Sequence, residues 1–206
     1  MKKIGIISCN VNNLFSISNA FKKLDCLTII TNNREELLDC DVLILPGVGA
    51  FNVAMKNIIE KNIDTTISDF LKTGKTFLGI CLGFQLLFEE STEFTKTKGL
   101  GLIEGNVVGF DKSKMIVPHV GWNSVDIKNK ENNILKNKNN FYFVHSFYAK
   151  PKFSNDIFCY TNYSNLKFCS GIKKDNLYGV QFHPEKSGKN GIQFLENLLR
   201  NKYERI

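Results

Sequence analysis

Lys75-Thr-Phe-Leu-Gly79-Ile-Cys81-Leu-Gly83-Phe-Gln85-Leu-Leu-Phe-Glu-Glu90 is the stretch on which the reading of the whole chain turns. Its first half, Thr76 to Ile80, is apolar and β-capable. Its second half sets Phe84, Leu86, Leu87 and Phe88 ahead of two glutamates, a pattern that predicts a helix. Between them stands Gly79-Ile-Cys81-Leu-Gly83, a cysteine version of the Gly-x-Ser-x-Gly nucleophile elbow. A nucleophile on a sharp strand-to-helix turn needs small neighbours two residues to either side, because the two backbones approach closely there. The turn aims the sulfur at unpaired helix N–H groups, which favour a thiolate and later an oxyanion. A buried structural cysteine at a Gly-flanked strand end fits the same stretch. The decision lies downstream.

Gly179-Val-Gln-Phe-His183-Pro-Glu185-Lys-Ser187 supplies it. A β-run leads into His183, and Glu185 follows two residues on. On an extended backbone that spacing points both side chains to one side, so the carboxylate can hold the imidazole in the tautomer that faces a nucleophile. Pro184 fixes the backbone between them. Cys81, His183 and Glu185 together make an acyl-transfer triad of thiolate, proton shuttle and orienting carboxylate. His119 and His145 lack a carboxylate at plus two and read as hydrogen-bonded structural or interface residues.

Composition narrows the class. The 206 residues, 43% hydrophobic and 23% charged, fit one globular domain spanning 1–206, with no Pro/Ser/Gly-rich linker and no internal repeat. No apolar run is long enough for a membrane span, and the start, Met-Lys-Lys-Ile-Gly-Ile-Ile-Ser, is too briefly apolar for a signal peptide and reads as a first strand. The six cysteines show no Cys-x-x-Cys pair, which suits reduced thiols in a cytoplasmic protein, and with three histidines no metal site is expected. The net charge of +7 comes from scattered lysines beside asparagines, with three arginines and no compact basic run, so no nucleic-acid face is expected.

Apolar segments alternate along the first half: strands at Lys3–Ser8, Leu27–Thr31, Asp41–Leu45 and Thr76–Ile80, helices from Leu14 to Leu24, from Glu35 to Leu38 and through Phe51 to Leu71. That alternation predicts an α/β fold with an open, mostly parallel sheet flanked by helices. Past Ser91 the segments become short and strand-like, at 106–110, 117–125, 141–144, 158–161, 168–173 and 177–181, and predict an antiparallel extension. Asn123 to Asn140 reads as a strand end and a Lys/Asn-rich surface loop, and a last amphipathic helix runs from Lys189 to Asn201.

Gly79-Ile-Cys-Leu-Gly-Phe-Gln85 with His183-Pro-Glu185 resembles the class I glutamine amidotransferases, glutaminases with a Cys-His-Glu triad on a flavodoxin-like fold. Pro46-Gly-Val-Gly49, Gly99-Leu-Gly-Leu-Ile103, Pro118-His-Val-Gly-Trp-Asn123, Tyr142-Phe-Val-His-Ser146 and His183-Pro-Glu-Lys-Ser187 bring the resemblance closer to the glutaminase subunits of imidazole glycerol phosphate synthase. The resemblance implies a γ-glutamyl thioester on Cys81, with His183 as base and acid and Glu185 as its partner. It implies oxyanion donors from the Leu82 N–H and from the turn at Val48 and Gly49, after a peptide rearranges. L-glutamine would be held by Gly47, Gln85 and the backbone near Ser146 and Phe147. It also implies a (βα)8-barrel cyclase subunit as heterodimer partner, receiving channelled ammonia to form imidazole glycerol phosphate and a carboxamide ribotide, with Trp122, Tyr142 and Lys186 at the interface and no cofactor. Trp122 as a core anchor and Lys186 as a solvated lysine are the plainer readings of those two.

The chain departs from the resemblance at Ser8-Cys-Asn-Val-Asn-Asn13-Leu14, where an Asp-Tyr-Gly-x-Gly-Asn-Leu opening is usual, and at Ile116, where a lysine is common. Those loops flank the site and the partner surface, so a second reading stands beside the first: a paralogous glutaminase feeding ammonia to a sugar-amidating enzyme of surface-polysaccharide or flagellar-glycan synthesis.

Overall fold

The computed structural model describes residues 1–8, 14–128, 134–135 and 139–200. The altered first loop, part of the Lys/Asn-rich tract and the expected helix end at Asn201 fall outside the described residues.

Strand β1 (Lys3–Ile7) lies between β2 (Leu27–Thr31) and β3 (Val42–Leu45), parallel to both, with α1 (Leu14–Lys22) and α2 (Arg34–Leu38) as crossovers. Helices α3 (Phe51–Glu60) and α4 (Ile63–Lys72) lead to β4 (Thr76–Ile80), parallel to β3. One turn of helix, α5 (Leu82–Gln85), follows Cys81. The chain then runs through β5 (Phe88–Ser91), β6 (Thr97–Lys98), β7 (Ile103–Gly109), β8 (His119–Ser124), β9 (Asp126–Ile127), β10 (Asn140–His145), β11 (Phe147–Pro151), β12 (Ile157–Tyr163), β13 (Leu166–Lys174) and β14 (Leu177–Val180) to α6 (Gly188–Arg200).

The sheet order is β2-β1-β3-β4-β14-β13-β11-β7-β5-β6, with β12 and β9 branching from β13. Its first five strands are mutually parallel; β13, β11 and β7 then join antiparallel. Strands β8 and β10 form a separate antiparallel pair. The expected α/β class, with its antiparallel extension, is borne out.

Strand alternation divides the core between the two faces of the sheet. Val42 and Ile44 of β3, Leu78 and Ile80 of β4 and Tyr178 and Val180 of β14 pack on one side with Phe21 of α1 and Phe194 of α6. Leu43, Leu45, Phe77 and Leu177 pack on the other with Met55 of α3 and Phe70 of α4. All four residues of β3 are buried, as a parallel strand covered on both faces requires.

Two expectations need correction. The helix after the elbow ends at Gln85, and Phe88–Ser91 is a strand. A short apolar run followed by glutamates suits either period, and tertiary pairing decides. Strand β5 pairs in parallel with β7, Phe88 and Ser91 face inward, and Glu89 Oε2 accepts from the Gly105 N–H at 2.8 Å. Helical material from Phe51 to Leu71 breaks at Asn62, whose φ of 53° is left-handed.

Candidate active site

Three loops meet at the carboxyl ends of adjacent parallel strands, where open α/β sheets build their sites. Pro46-Gly-Val-Gly49 leaves β3, Cys81 leaves β4, and Gln181-Phe-His183 leaves β14. Cys81 has φ 55° and ψ −108°, backbone angles that side chains rarely adopt. The flanking glycines permit that crossing. A Cβ on Gly83 would stand 1.9 Å from the Leu45 carbonyl oxygen, and one on Gly79 would stand 2.7 Å from that of Gly83. α5 is a single turn and makes no cap hydrogen bond with the Cys81 side chain, so the sulfur does not sit on the N-terminus of a long helix dipole.

His183 is buried, and its Nδ1 donates to Glu185 Oε1 at 2.8 Å, both side chains being 1% exposed. The pair is not made along an extended strand as the spacing suggested. His183 is itself extended, but Pro184–Lys186 is a 3-10 turn that folds the carboxylate back onto the imidazole. Nε2 is buried without a partner in full hydrogen-bond geometry, which leaves it to Cys81, whose sulfur acts on the ring by charge and by hydrogen bonding. Burial opposes the imidazolium, but Cys81 and Glu185 outweigh it and hold His183 up at about 10.

A cavity of 330 Å³ opens over Cys81. Val48, Gly49, Leu82, Gln85, Ser146 and Phe147 line it, as do Glu93 and His145. Gly47 lies behind the turn, its carbonyl accepting from the Leu82 N–H at 3.4 Å. Gly49 has φ 110°, with nothing within 4 Å of where a Cβ would stand. Gln85 Nε2 donates to the Phe147 carbonyl and to Gln181 Oε1, both at 2.9 Å, so the amide oxygen is what it keeps for a ligand.

Two further residues here left little mark in the sequence. Gln181 is fully buried, and its Nε2 donates to Cys81 Sγ at 3.7 Å. Its signal was a polar side chain two residues before His183, on the same side of the run. Glu93 lines the cavity while its Oε2 accepts from the Phe51 N–H, at the start of α3, at 2.8 Å. It sits in a turn with no periodicity to mark it.

The other two histidines form a chain of their own. His145 Nδ1 lies 2.8 Å from the Phe147 carbonyl, which can only accept, so Nδ1 carries the proton. Nε2 of His145 therefore accepts from His119 Nδ1 at 2.9 Å. Burial lowers His119 to about 4 and His145 to about 3.

Trp122, Tyr142 and Lys186 gather in one patch beside the triad. Trp122 is 59% exposed, which removes its reading as a core anchor. Its ring lies 6.3 Å from that of Tyr142, the Lys186 ammonium is 6.0 Å from the same ring, and Tyr142 is 6.5 Å from His183. Among the described residues no three His, Cys, Asp or Glu side chains cluster to hold a metal, and no helix is long and apolar enough to cross a membrane.

Comparison with known proteins agrees with this geometry. The profile of the family described as Glutamine amidotransferase class-I matches residues 6–202. The imidazole glycerol phosphate synthase subunit HisH of Methanocaldococcus jannaschii is 49% identical over 95% of this chain and 98% of its own length. Its counterpart in Prochlorococcus marinus subsp. pastoris is 40% identical over 98% and 99%. The solved structure of PurLQS from Thermotoga maritima, 18% identical, superposes with a TM-score of 0.76 over 97% of this chain and 99% of that one, a likeness of fold. With the family profile running almost end to end and relatives this similar at full length, the chain belongs to the class-I glutamine amidotransferases and, within them, to the HisH subunits of imidazole glycerol phosphate synthase.

Proposed function

We propose that Cys81, His183 and Glu185 carry out glutamine hydrolysis and that the ammonia passes to a (βα)8-barrel cyclase subunit bound over Trp122, Tyr142 and Lys186. The chain is a glutaminase of histidine biosynthesis, converting L-glutamine to glutamate and ammonia. What most supports the assignment of roles is His183 held between Glu185 and Cys81, with Cys81 lining a cavity that has room for an amino acid.

The sulfur attacks the side-chain carboxamide carbon, and the C=O electron pair moves onto oxygen. The Leu82 N–H and the peptide at Val48 and Gly49 receive that oxyanion once the Gly47 carbonyl lets go of Leu82. Collapse breaks the C–N bond, and His183 gives its proton to the departing ammonia. Water then attacks the thioester while His183 takes a proton, releasing glutamate and restoring Cys81. Gln85 Oε1 and the Glu93 carboxylate suit the α-ammonium, and the backbone at Ser146 and Phe147 suits the α-carboxylate. Turnover by the chain alone is poor because the oxyanion turn is completed on partner binding. The chain works as one domain in the cytoplasm and needs no cofactor. Identity of 49% to a HisH subunit along 98% of its length favours this pathway over the sugar-amidating alternative.

Cys81→Ala tests the division of labour. Glutamine-dependent synthesis by the reconstituted pair should vanish while synthesis from an ammonium salt persists; loss of both would overturn it. Trp122→Ala should leave the chain folded and weaken the complex by about 30-fold or more, measured by titration calorimetry, as loss of a central aromatic anchor does. Unchanged affinity would remove Trp122 from the interface.

A further inference from the structure

We propose that Gln181 is a fourth working side chain of the site, a positioning residue whose amide N–H holds the Cys81 sulfur in its attacking form and place. The proposal rests on the triad reading above and extends it.

The Phe147 backbone carbonyl can only accept, so the Gln85 amide must turn its NH2 toward it. The same NH2 reaches the Gln181 side chain at 2.9 Å, and two donors cannot face each other, so Gln181 presents its oxygen there. Its NH2 is thereby forced to the other side, where Cys81 Sγ lies 3.7 Å away. A carbonyl on the wall of the cavity dictates, through two amides in series, that the nucleophile receives an N–H. His145 adds a second donor to the Phe147 carbonyl at 2.8 Å and pins the far end of the relay.

Burial gives the relay its force. Gln181 is 0% exposed and Gln85 5%, so water does not compete for either amide. The Gln181 backbone is fixed as well, its N–H donating to the Ser170 carbonyl at 3.0 Å. A sulfur approached by a buried N–H is stabilised when negatively charged, and its direction is fixed for attack. The ionisable groups around that sulfur are His183 with Glu185 beyond β14, His145 on β10 and Glu93 across the cavity. Of these, His183 is the one held charged in its favour, and Gln181 acts as a neutral donor beside it.

The relay also links recognition to reactivity. Movement of the wall at Ser146 and Phe147 when substrate seats would be felt at Gln85, then Gln181, then the sulfur. Glutamine binding and the poise of the nucleophile therefore share one hydrogen-bonded path.

The test uses the full chain and iodoacetamide, with the rate of Cys81 carboxamidomethylation followed by mass spectrometry across pH. Gln181→Met keeps the volume and removes the donor; its alkylation–pH profile should move about one unit alkaline, a tenfold slower reaction on the rising limb. Gln181→Glu keeps the acceptor for Gln85 and puts a carboxylate where the donor was, and should move the profile further. A packing role would lower thermal stability in both variants and leave the profile of the folded protein where wild type has it, which would overturn the proposal. Wild type offers a reading that needs no variant to fold: the Gln181 side-chain amide NMR signal should shift as Cys81 titrates and stay fixed in Cys81→Ala. An amide signal indifferent to Cys81 overturns the proposal too. If wild-type labelling falls elsewhere than Cys81, or Cys81→Ala keeps glutaminase activity, the triad reading itself fails. If those controls hold and the Gln181 results do not, the relay alone is wrong.

Discussion

Histidines stand in two buried environments near one cavity, and the protein treats them in opposite ways. His183 meets a carboxylate on one side and a sulfur on the other and is held up at about 10. His119 and His145 meet each other, an asparagine and a backbone carbonyl, and fall to about 4 and about 3. Burial penalises all three imidazoliums, so burial alone does not make a proton shuttle. The neighbours decide. A buried anion turns an imidazole into a reserve of protons, whereas neutral partners turn it into a fixed hydrogen-bonding strut.

The largest break in that contrast should come from Glu185→Gln. The substitution preserves size, removes the charge that offsets burial and lets the amide oppose the required tautomer. Glutaminase kcat of the reconstituted pair should fall by about 10²- to 10⁴-fold, the usual range for general acid–base catalysis. A loss below tenfold would mean that the carboxylate does not set the state of His183.

His145→Phe should show the other environment to be structural. Aromatic packing against Phe110 and Phe168, whose ring centroids lie 5.2 and 5.3 Å away, would survive. The His119 N–H would lose its acceptor, and the Phe147 carbonyl one of its donors. Chemical denaturation should register a loss of about 1–3 kcal/mol, the cost of a buried polar group left unmatched. Abolished catalysis with undiminished stability would instead make His145 a chemical participant.

A pH-dependent effect should appear in acid. His119 and His145 bind protons in the unfolded chain near pH 6.5 but resist them when folded. Their contribution is fully present above about pH 6.5 and is lost as pH falls toward 4 and then 3, with a slope of up to about 1.4 kcal/mol per pH unit for each. His183 has the opposite sign. Its folded value is raised, so its contribution is complete below 6.5 and is lost as pH climbs toward 10. Stability measured across pH should therefore decline on both sides of neutrality, and His145→Phe should flatten the acid limb.

Much of this was legible in residues alone, and what was not has identifiable physical causes. The elbow could be read because only glycine tolerates the approaches at Gly79 and Gly83, and a steric demand that severe leaves a local mark. The parallel half was readable because β3 is buried on both faces and so shows an unbroken apolar run. Residues 86–91 misled because Phe88 and Ser91 face inward only through pairing with β7, a partner more than ten residues away. Gln181 and Glu93 stayed hidden for a similar reason: their roles come from Gln85, Phe147 and Phe51, which the fold brings to them. The exposure of Trp122 likewise depends on the β8–β10 pair standing apart from the main sheet.

The most direct test is an NMR titration of the imidazole nitrogens in the intact chain, where three histidines give three assignable sets of signals. His183 should remain protonated well above neutral pH while His119 and His145 stay neutral down to about pH 5. A His183 that loses its proton below neutrality, or a His145 that titrates near 6.5 like an exposed imidazole, would contradict the account.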